Sequence, residues 1–178
     1  MVAVLKRQGA PTEAEFHEVI SRSSGRWFSA CLKITRNRNL AEDAVQDALL
    51  SAWNKRQQFD RTAKLDTWIH RIAVNAALQL LRKGRPGVFE PLGADVESSM
   101  PTPDRIHADE ELGQSLSVAM SHLSEIERVC FVLKHLEQWR LKEIADEIGA
   151  NIGTVKQAIF RAVRKLRVRM VSLHSEIL

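Results

Sequence analysis

The sequence has no tyrosine, only two cysteines among its 178 residues and no long apolar run. A membrane-spanning helix needs roughly 18 consecutive apolar residues, so we expect no direct membrane insertion. The N-terminus also lacks the apolar core and cleavage site of a secretory signal. These absences favour a cytoplasmic protein.

Residues for metal or covalent chemistry are also scarce. Cys31 and Cys130 each lie alone in an apolar helical context, which favours buried thiols acting as small hydrophobic side chains. The six histidines form no cluster at metal-ligand spacing. There is no phosphate-binding loop, paired-carboxylate site or nucleophile–histidine arrangement. We therefore expect no metal, no cofactor and no catalytic residue.

No segment alternates with the period of two that is typical of a strand, so the fold class is predicted to be all-α. Residues 84–104 hold four of the five prolines and three of the eight glycines, a composition that cannot sustain a helix. The sequence thus predicts two small helical domains, residues 1–84 and 111–178. A flexible linker of residues 85–110 is expected to join them.

The charge distribution follows the same division. Residues 1–84 carry 14 basic and 8 acidic side chains, residues 85–110 carry 2 and 6, and residues 111–178 carry 10 and 8. Two basic domains joined by an acidic linker fit a protein that contacts a polyanion twice.

Apolar spacing predicts three helices in the first domain, at residues 13–35, 40–59 and 67–83, with a polar loop at 61–66. The Ser23-Ser24-Gly25 stretch is expected to loosen the first helix. In the second helix the predicted buried stripe is Leu40, Ala44, Val45, Ala48, Leu49, Ala52 and Trp53.

The second domain is predicted to contain helices at residues 112–123 and 125–137, with Ser124 and Glu127 forming a capping box. A helix-turn-helix follows: a short helix from residue 141, a turn at Gly149, and a second helix capped by Asn151. From Asn151 to Met170 there are six Lys or Arg and no acid, which favours a helix that enters the DNA major groove. The alternative is a basic amphipathic helix at the end of a bundle.

Three segments carry a resemblance to a known family: NRNLAEDAVQDALLSAWNKRQQFD, TWIHRIAVNAALQLLRK and LSEIERVCFVLKHLEQWRLKEIADEIGANIGTVKQAIFRAVRKLR. In this order, around a Pro/Gly-rich stretch, they resemble extracytoplasmic-function (group IV) sigma factors of the sigma-70 family. The segments are similar to the family's core-binding helix, its promoter-melting helix and its upstream-element domain. The resemblance extends over about residues 13–169.

On the first segment, the resemblance implies that one helix face binds the clamp helices of core RNA polymerase. Spacing of i, i+3, i+4 and i+7 puts four residues on that outward face: Asp43, Gln46, Asp47 and Leu50. A solvated acidic helix start is the alternative. The exposed leucine beside a glutamine favours a contact surface.

The second segment and the loop before it are similar to the part of the family that melts the promoter and captures a flipped base. Single-stranded DNA is held by cations together with polar and aromatic side chains. The candidates are Asp60, Arg61, Lys64, Trp68, Arg71, Asn75 and Arg82. Trp68 is equally typical of a core aromatic residue, and Asn75 could tie helices together instead of contacting DNA.

In the helix-turn-helix, Val155, Ile159, Ala162 and Leu166 are the predicted apolar face of the recognition helix. Arg and Lys suit guanine edges and phosphates, Gln suits adenine, and Phe suits a thymine methyl group. The upstream-element candidates are Thr154, Lys156, Gln157, Phe160, Arg161 and Arg164. The chain departs from the common family pattern GTV[KR]SR[LI] at Gln157 and Ala158.

The resemblance implies a non-enzymatic alternative sigma factor with three partners: core RNA polymerase, promoter DNA and an anti-sigma factor. The alternative reading is a one-component helix-turn-helix regulator that binds duplex DNA without polymerase. An enzyme acting on nucleic acid has no support in the sequence. Retention by core polymerase distinguishes the first two classes.

Overall fold

In the computed structural model, the described residues are 9–84 and 116–175. The chain divides into two compact units, Met1–Pro86 and Gly87–Leu178. Across the described ranges the regular structure is entirely helical, which confirms the all-α class. The predicted linker of residues 85–110 lies outside the described residues. Among those that are described, no helix is long and apolar enough to span a membrane.

The first unit is built from α1 (Glu13–Thr35), α2 (Arg38–Asn54) and α3 (Leu65–Gly84), with a 3-10 turn at Arg56–Gln58. Each of the three helices packs against the other two. α1 continues through Gly25 without interruption, because buried residues of α1 on both sides of the glycine hold it in place. α2 ends at Asn54, so the predicted end at Phe59 is wrong.

Alanines form the buried face of α2: Ala41, Ala44, Ala48 and Ala52. Small side chains allow neighbouring helices to approach closely, so the larger residues of α2 lie along the flanks. Leu40, Val45 and Leu49 are half-buried, and Trp53 is 37% exposed. The predicted stripe is therefore wrong at these four positions.

Helix ends in the first unit are fixed by local hydrogen bonds. Thr12 caps α1 in a capping box with Glu15, and Asn37 caps α2 by accepting from the backbone N–H of Leu40. Asp66 links helices, since its Oδ1 accepts from Arg26 Nη2 and from Trp27 Nε1, both at 2.9 Å. The start of α3 is thereby tied to the middle of α1.

The second unit contains a helix α4, whose described residues are 116–120, then α5 (Glu125–Phe131), α6 (Leu141–Ile148) and α7 (Ile152–Ser175). The capping box of Ser124 and Glu127 is confirmed. A single α-helix through residue 137 is wrong, because Val132–Leu136 form a π-helical turn. The predicted helix at 112–123 ends at residue 120, and its first four residues lie outside the described residues.

The helix-turn-helix is confirmed in the second unit. Gly149 ends α6 in the left-handed conformation with φ of 70°, which a residue without Cβ adopts at no steric cost. The Asn151 side chain then accepts from the backbone N–H of Thr154 at 2.8 Å. α7 packs against both α5 and α6.

Both cysteines are buried and unpaired with each other, as predicted. Burial raises the pKa of Cys130 to about 12, so this thiol stays protonated at neutral pH. The Cys31 thiol donates to the Ala73 carbonyl at 3.5 Å. Both act as small core side chains.

Candidate nucleic-acid and protein interfaces

The outward face of α2 is the first candidate surface. Asp43, Gln46, Asp47 and Leu50 are all exposed, and Leu50 is 65% exposed. They lie opposite the alanine face that packs on α1 and α3. The structure confirms that these four residues share a solvent-facing surface. Their polymerase-binding role stays a prediction.

Trp53 extends this surface by one helical turn, which sequence reasoning missed. The Arg56 guanidinium lies 4.2 Å from the centroid of the Trp53 ring. The Phe16 and Trp53 rings pack edge to face, with centroids 5.1 Å apart. Tryptophan and arginine are enriched at the energetic centres of protein interfaces. Sequence reasoning placed Trp53 in the buried stripe, because spacing along α2 could not decide between its alanine face and its larger residues.

The loop before α3 combines two exposed candidates with one held against α1. Asp60 and Lys64 are exposed. Asp60 accepts from the backbone N–H and the hydroxyl of Thr62, at 3.0 and 2.7 Å. These bonds, the backbone one above all, lower the pKa of Asp60 and favour its charged form.

Arg61 points toward the N-terminus of α1 instead of solvent. Its Nη1 and Nη2 donate to the two carboxylate oxygens of Glu15 at 3.0 and 3.1 Å. Its Nε donates to the Gly9 carbonyl at 2.9 Å. These contacts form the Glu15–Arg61 clamp. Hydrogen bonding from Arg61 is the main cause that lowers the pKa of Glu15 to about 2.

The remaining single-strand candidates lie along α3. Arg71 and Arg82 are exposed, and Trp68 and Asn75 are half-buried. Trp68 packs on buried Phe59 with ring centroids 5.0 Å apart, so it is both a core contact and a partly accessible ring. Within the described residues, the buried Asn75 Oδ1 has no hydrogen-bond partner. A buried amide oxygen without a partner is uncommon in folded proteins, which distinguishes Asn75 from the apolar residues around it.

The recognition helix α7 has one packed face and one exposed face. The buried residues include Val155, Ala158, Ala162 and Leu166. Ile159 is half-buried and lies at the edge of this face, and Ala158, which was not predicted there, is buried within it. Ala158 is also where the chain departs from the usual family arginine, so this departure lies on the packed side.

The five predicted groove-facing positions are all exposed: Lys156, Gln157, Phe160, Arg161 and Arg164. Phe160 is 70% exposed, an unusual position for a large aromatic side chain. Thr154 is half-buried in the first turn, and its hydroxyl lies 3.2 Å from Asn151 Oδ1. The structure confirms that the five positions are exposed, and their contacts with DNA stay predictions.

The outward face of α7 carries fewer basic side chains than the sequence of the helix indicates. Lys165 is directed toward α5, where its Nζ donates to Glu127 Oε2 at 3.0 Å. Arg169 Nη2 lies 3.5 Å from His122 Nδ1. The charges on the outward face near Phe160 are therefore Lys156, Arg161 and Arg164.

The described residues thus form a three-helix unit and a second helical unit that contains a helix-turn-helix, the fold class of many DNA-binding proteins. A family model for Sigma-70 region 2 matches residues 19–86, and one for Sigma-70 region 4 matches residues 113–166. ECF RNA polymerase sigma factor SigL of Mycobacterium tuberculosis is 30% identical over 148 residues, covering 80% of this chain and 81% of that protein. The chain belongs to the ECF RNA polymerase sigma factor family.

Other relatives differ in how much of their length is matched. SigW of Bacillus subtilis is 27% identical over 170 residues, covering 89% of this chain and 90% of that protein. SigE of Mycolicibacterium smegmatis is 27% identical over 162 residues, covering 89% of this chain. The chain spans 63% of the length of that SigE and 44% of the length of SigG of Mycobacterium tuberculosis.

Two solved structures share the fold. The sigma factor RpoE of Bartonella quintana, in complex with the anti-sigma factor NepR, matches with a TM-score of 0.58 at 25% identity, covering 88% of this chain and 96% of RpoE. CnrH, in complex with the cytosolic domain of CnrY, matches with a TM-score of 0.53 at 20% identity, covering 90% of each chain. The second likeness concerns the fold alone.

Proposed function

We propose that this protein is an alternative sigma factor that directs bacterial core RNA polymerase to specific promoters in the cytoplasm and initiates transcription. It carries out no covalent chemistry itself. The observation that carries this proposal is the two-sided α7: its apolar side packs in the helix-turn-helix while Lys156, Phe160 and Arg161 face outward. Such a helix fits the major groove of an upstream promoter element.

The first unit supplies the polymerase contact in this proposal. Asp43, Gln46, Asp47 and Leu50 bind the clamp helices of core polymerase. The support is the chemistry of the face, where an exposed leucine lies among acidic and amide side chains. An apolar anchor surrounded by polar groups is the usual composition of a protein interface.

The same unit holds the melted downstream element. Asp60, Arg61 and Lys64 belong to the loop that receives an unstacked base. Arg71, Asn75 and Arg82 follow along α3 beside the partly accessible ring of Trp68. Exposed arginines next to an aromatic ring are suited to a single strand, since cations follow the phosphates and the ring stacks on a base.

An anti-sigma factor completes the set of partners. The support is RpoE, which shares this fold and is bound to the anti-sigma factor NepR in its structure. In this chain the exposed α2 face is a surface that an inhibitor can cover, which would block access of the polymerase.

The test uses purified core polymerase and separates the two surfaces. We expect core enzyme to retain the protein at moderate salt and the reconstituted holoenzyme to transcribe from a cognate promoter. Leu50→Ala should reduce retention, while Arg161→Ala should lower transcription and leave retention unchanged. Gln79→Ala, an exposed change on α3, is the control.

Failure of core polymerase to retain the wild-type protein would reject the sigma-factor proposal in favour of a one-component regulator. Loss of both retention and transcription in Arg161→Ala would mean that the two surfaces are wrongly assigned.

A further inference from the structure

The Glu15–Arg61 clamp holds one side of the loop of residues 60–64. Both side chains are about three-quarters buried, at 23% and 24% exposure. All three guanidinium nitrogens of Arg61 donate to α1 or to the residues just before it. A bidentate pair fixes orientation as well as distance, so three of the five N–H donors of Arg61 are committed to the clamp.

The backbone of the loop agrees with this inward direction. Arg61 has φ of 58°, in the left-handed region that a non-glycine residue adopts only when its surroundings hold it there. On the other side of the loop, Phe59 is buried and packs on Trp68. The loop is therefore anchored through residues 59 and 61.

The remaining loop residues face solvent. Asp60, Thr62, Ala63 and Lys64 are exposed, and the Asp60 carboxylate closes a short turn by accepting from Thr62. Phe59 and Arg61 thus anchor the loop from within, and the arrangement directs Asp60 and Lys64 toward solvent. Because the loop is already held in place, binding does not carry the entropic cost of ordering it.

We infer that Arg61 is a positioning residue for the downstream-element loop and that Glu15 is its partner in that role. This inference rests on the proposed function. Glu15 precedes the segment matched by Sigma-70 region 2, which begins at residue 19. The first turn of α1 thereby supports the loop that receives single-stranded promoter DNA.

The key variant is Glu15→Gln, which removes the carboxylate charge but keeps a side chain able to complete the capping box with Thr12. The matched control is Glu13→Gln, an exposed position in the same helical turn, where Glu13 Oε1 lies 3.9 Å from His17 Nε2. Arg61→Lys is the second variant. It keeps a cation that can contact phosphate but loses the planar fork.

The probe is a fluorescent single strand carrying the non-template downstream element of a promoter recovered by in vitro transcription, titrated into reconstituted holoenzyme. If the clamp holds the competent loop conformation and its loss leaves that conformation about one-tenth populated, affinity falls about tenfold. We expect this loss in Glu15→Gln and in Arg61→Lys, with no further loss in the double variant. Glu13→Gln should bind as the wild type does.

Hydrogen exchange of the peptide spanning residues 59–64 provides a readout that does not depend on DNA. Exchange should rise in Glu15→Gln and Arg61→Lys, with polymerase retention unchanged. Wild-type DNA affinity in Glu15→Gln would overturn the inference, because the clamp would then not be required for binding. A defect in Arg61→Ala that Arg61→Lys repairs would also overturn it, because a cation at this position would then suffice without the clamp. Failure of the wild-type holoenzyme to bind the probe would instead count against the proposed function.

Discussion

Phe160 is a large aromatic side chain that the recognition helix exposes to solvent, at 70% of its full surface. It lies one turn after Lys156 and one turn before Arg164, on the face opposite the helix packing. In the major groove, the apolar feature that a ring can contact is the C5 methyl group of thymine. Phe160 is therefore a candidate for reading a thymine in the upstream element.

Replacing single thymines of the upstream element by deoxyuridine removes only that methyl group. We expect one such replacement to weaken wild-type holoenzyme binding, by a factor that corresponds to about 1 kcal/mol. Phe160→Ala should bind more weakly and no longer respond to the replacement. The measurement is a competition binding assay with matched duplexes. Equal sensitivity in the wild type and the variant would rule out the methyl contact.

At the scale of single residues, spacing along one helix predicted exposure well. Asp43, Gln46, Asp47 and Leu50 are outward because their helical spacing requires one face. The inward direction of Arg61 could not be predicted in this way, because its partner Glu15 is 46 residues away in the chain.

The turn of the helix-turn-helix is the element whose local chemistry is most complete. Gly149 ends α6 in the left-handed conformation, and Asn151 caps the next helix. An N-cap side chain satisfies a backbone N–H that has no partner inside the helix. The entry angle of α7, and with it the outward face that carries Arg161, depends on this turn.

Asn151→Ala should lower the free energy of unfolding by about 1 kcal/mol, because the N-cap hydrogen bond is lost. Chemical denaturation of the full chain, followed by circular dichroism, measures this change. Asn39→Ala is the control, since Asn39 is exposed within the first turn of α2; its effect should stay within about 0.5 kcal/mol. Equal effects of the two substitutions would show that the cap does not stabilise the turn.

The helix α2 illustrates the opposite case, in which pattern and packing disagree. Its leucines and Trp53 look like a core stripe, yet the alanines at 41, 44, 48 and 52 are the buried residues. Periodicity alone fits both faces nearly as well. Close packing against two neighbouring helices selected the small residues, which sequence spacing could not decide.

For the whole molecule, a net charge of +4 gives little information until the charges are located. Some basic side chains form ion pairs within the fold: Lys165 with Glu127 and Arg61 with Glu15. Others, such as Arg164, lie on a surface whose own helix carries no acidic residue. Phosphate binding by such a surface releases counterions, so affinity falls as salt rises.

Arg164→Ala should therefore reduce the slope of log affinity against log salt by roughly 0.9 for one lost phosphate contact. Holoenzyme binding to the cognate promoter at several salt concentrations provides the slope. Arg22→Ala is the control, because Arg22 is exposed on α1 beside Glu18 at 3.6 Å. An unchanged slope in Arg164→Ala would remove this residue from the phosphate contacts.

By itself, the sequence determined the helical class, the helix-turn-helix and its caps, and the outward faces of α2 and α7. These features depend on residues a few positions apart, whose relation is set by the geometry of one helix or one turn. Only the tertiary structure decided which side chains are engaged across the fold: Glu15 with Arg61, Asp66 with Arg26 and Trp27, and Glu127 with Lys165. Those partners are 38 to 46 residues apart, and packing of whole helices brings them together.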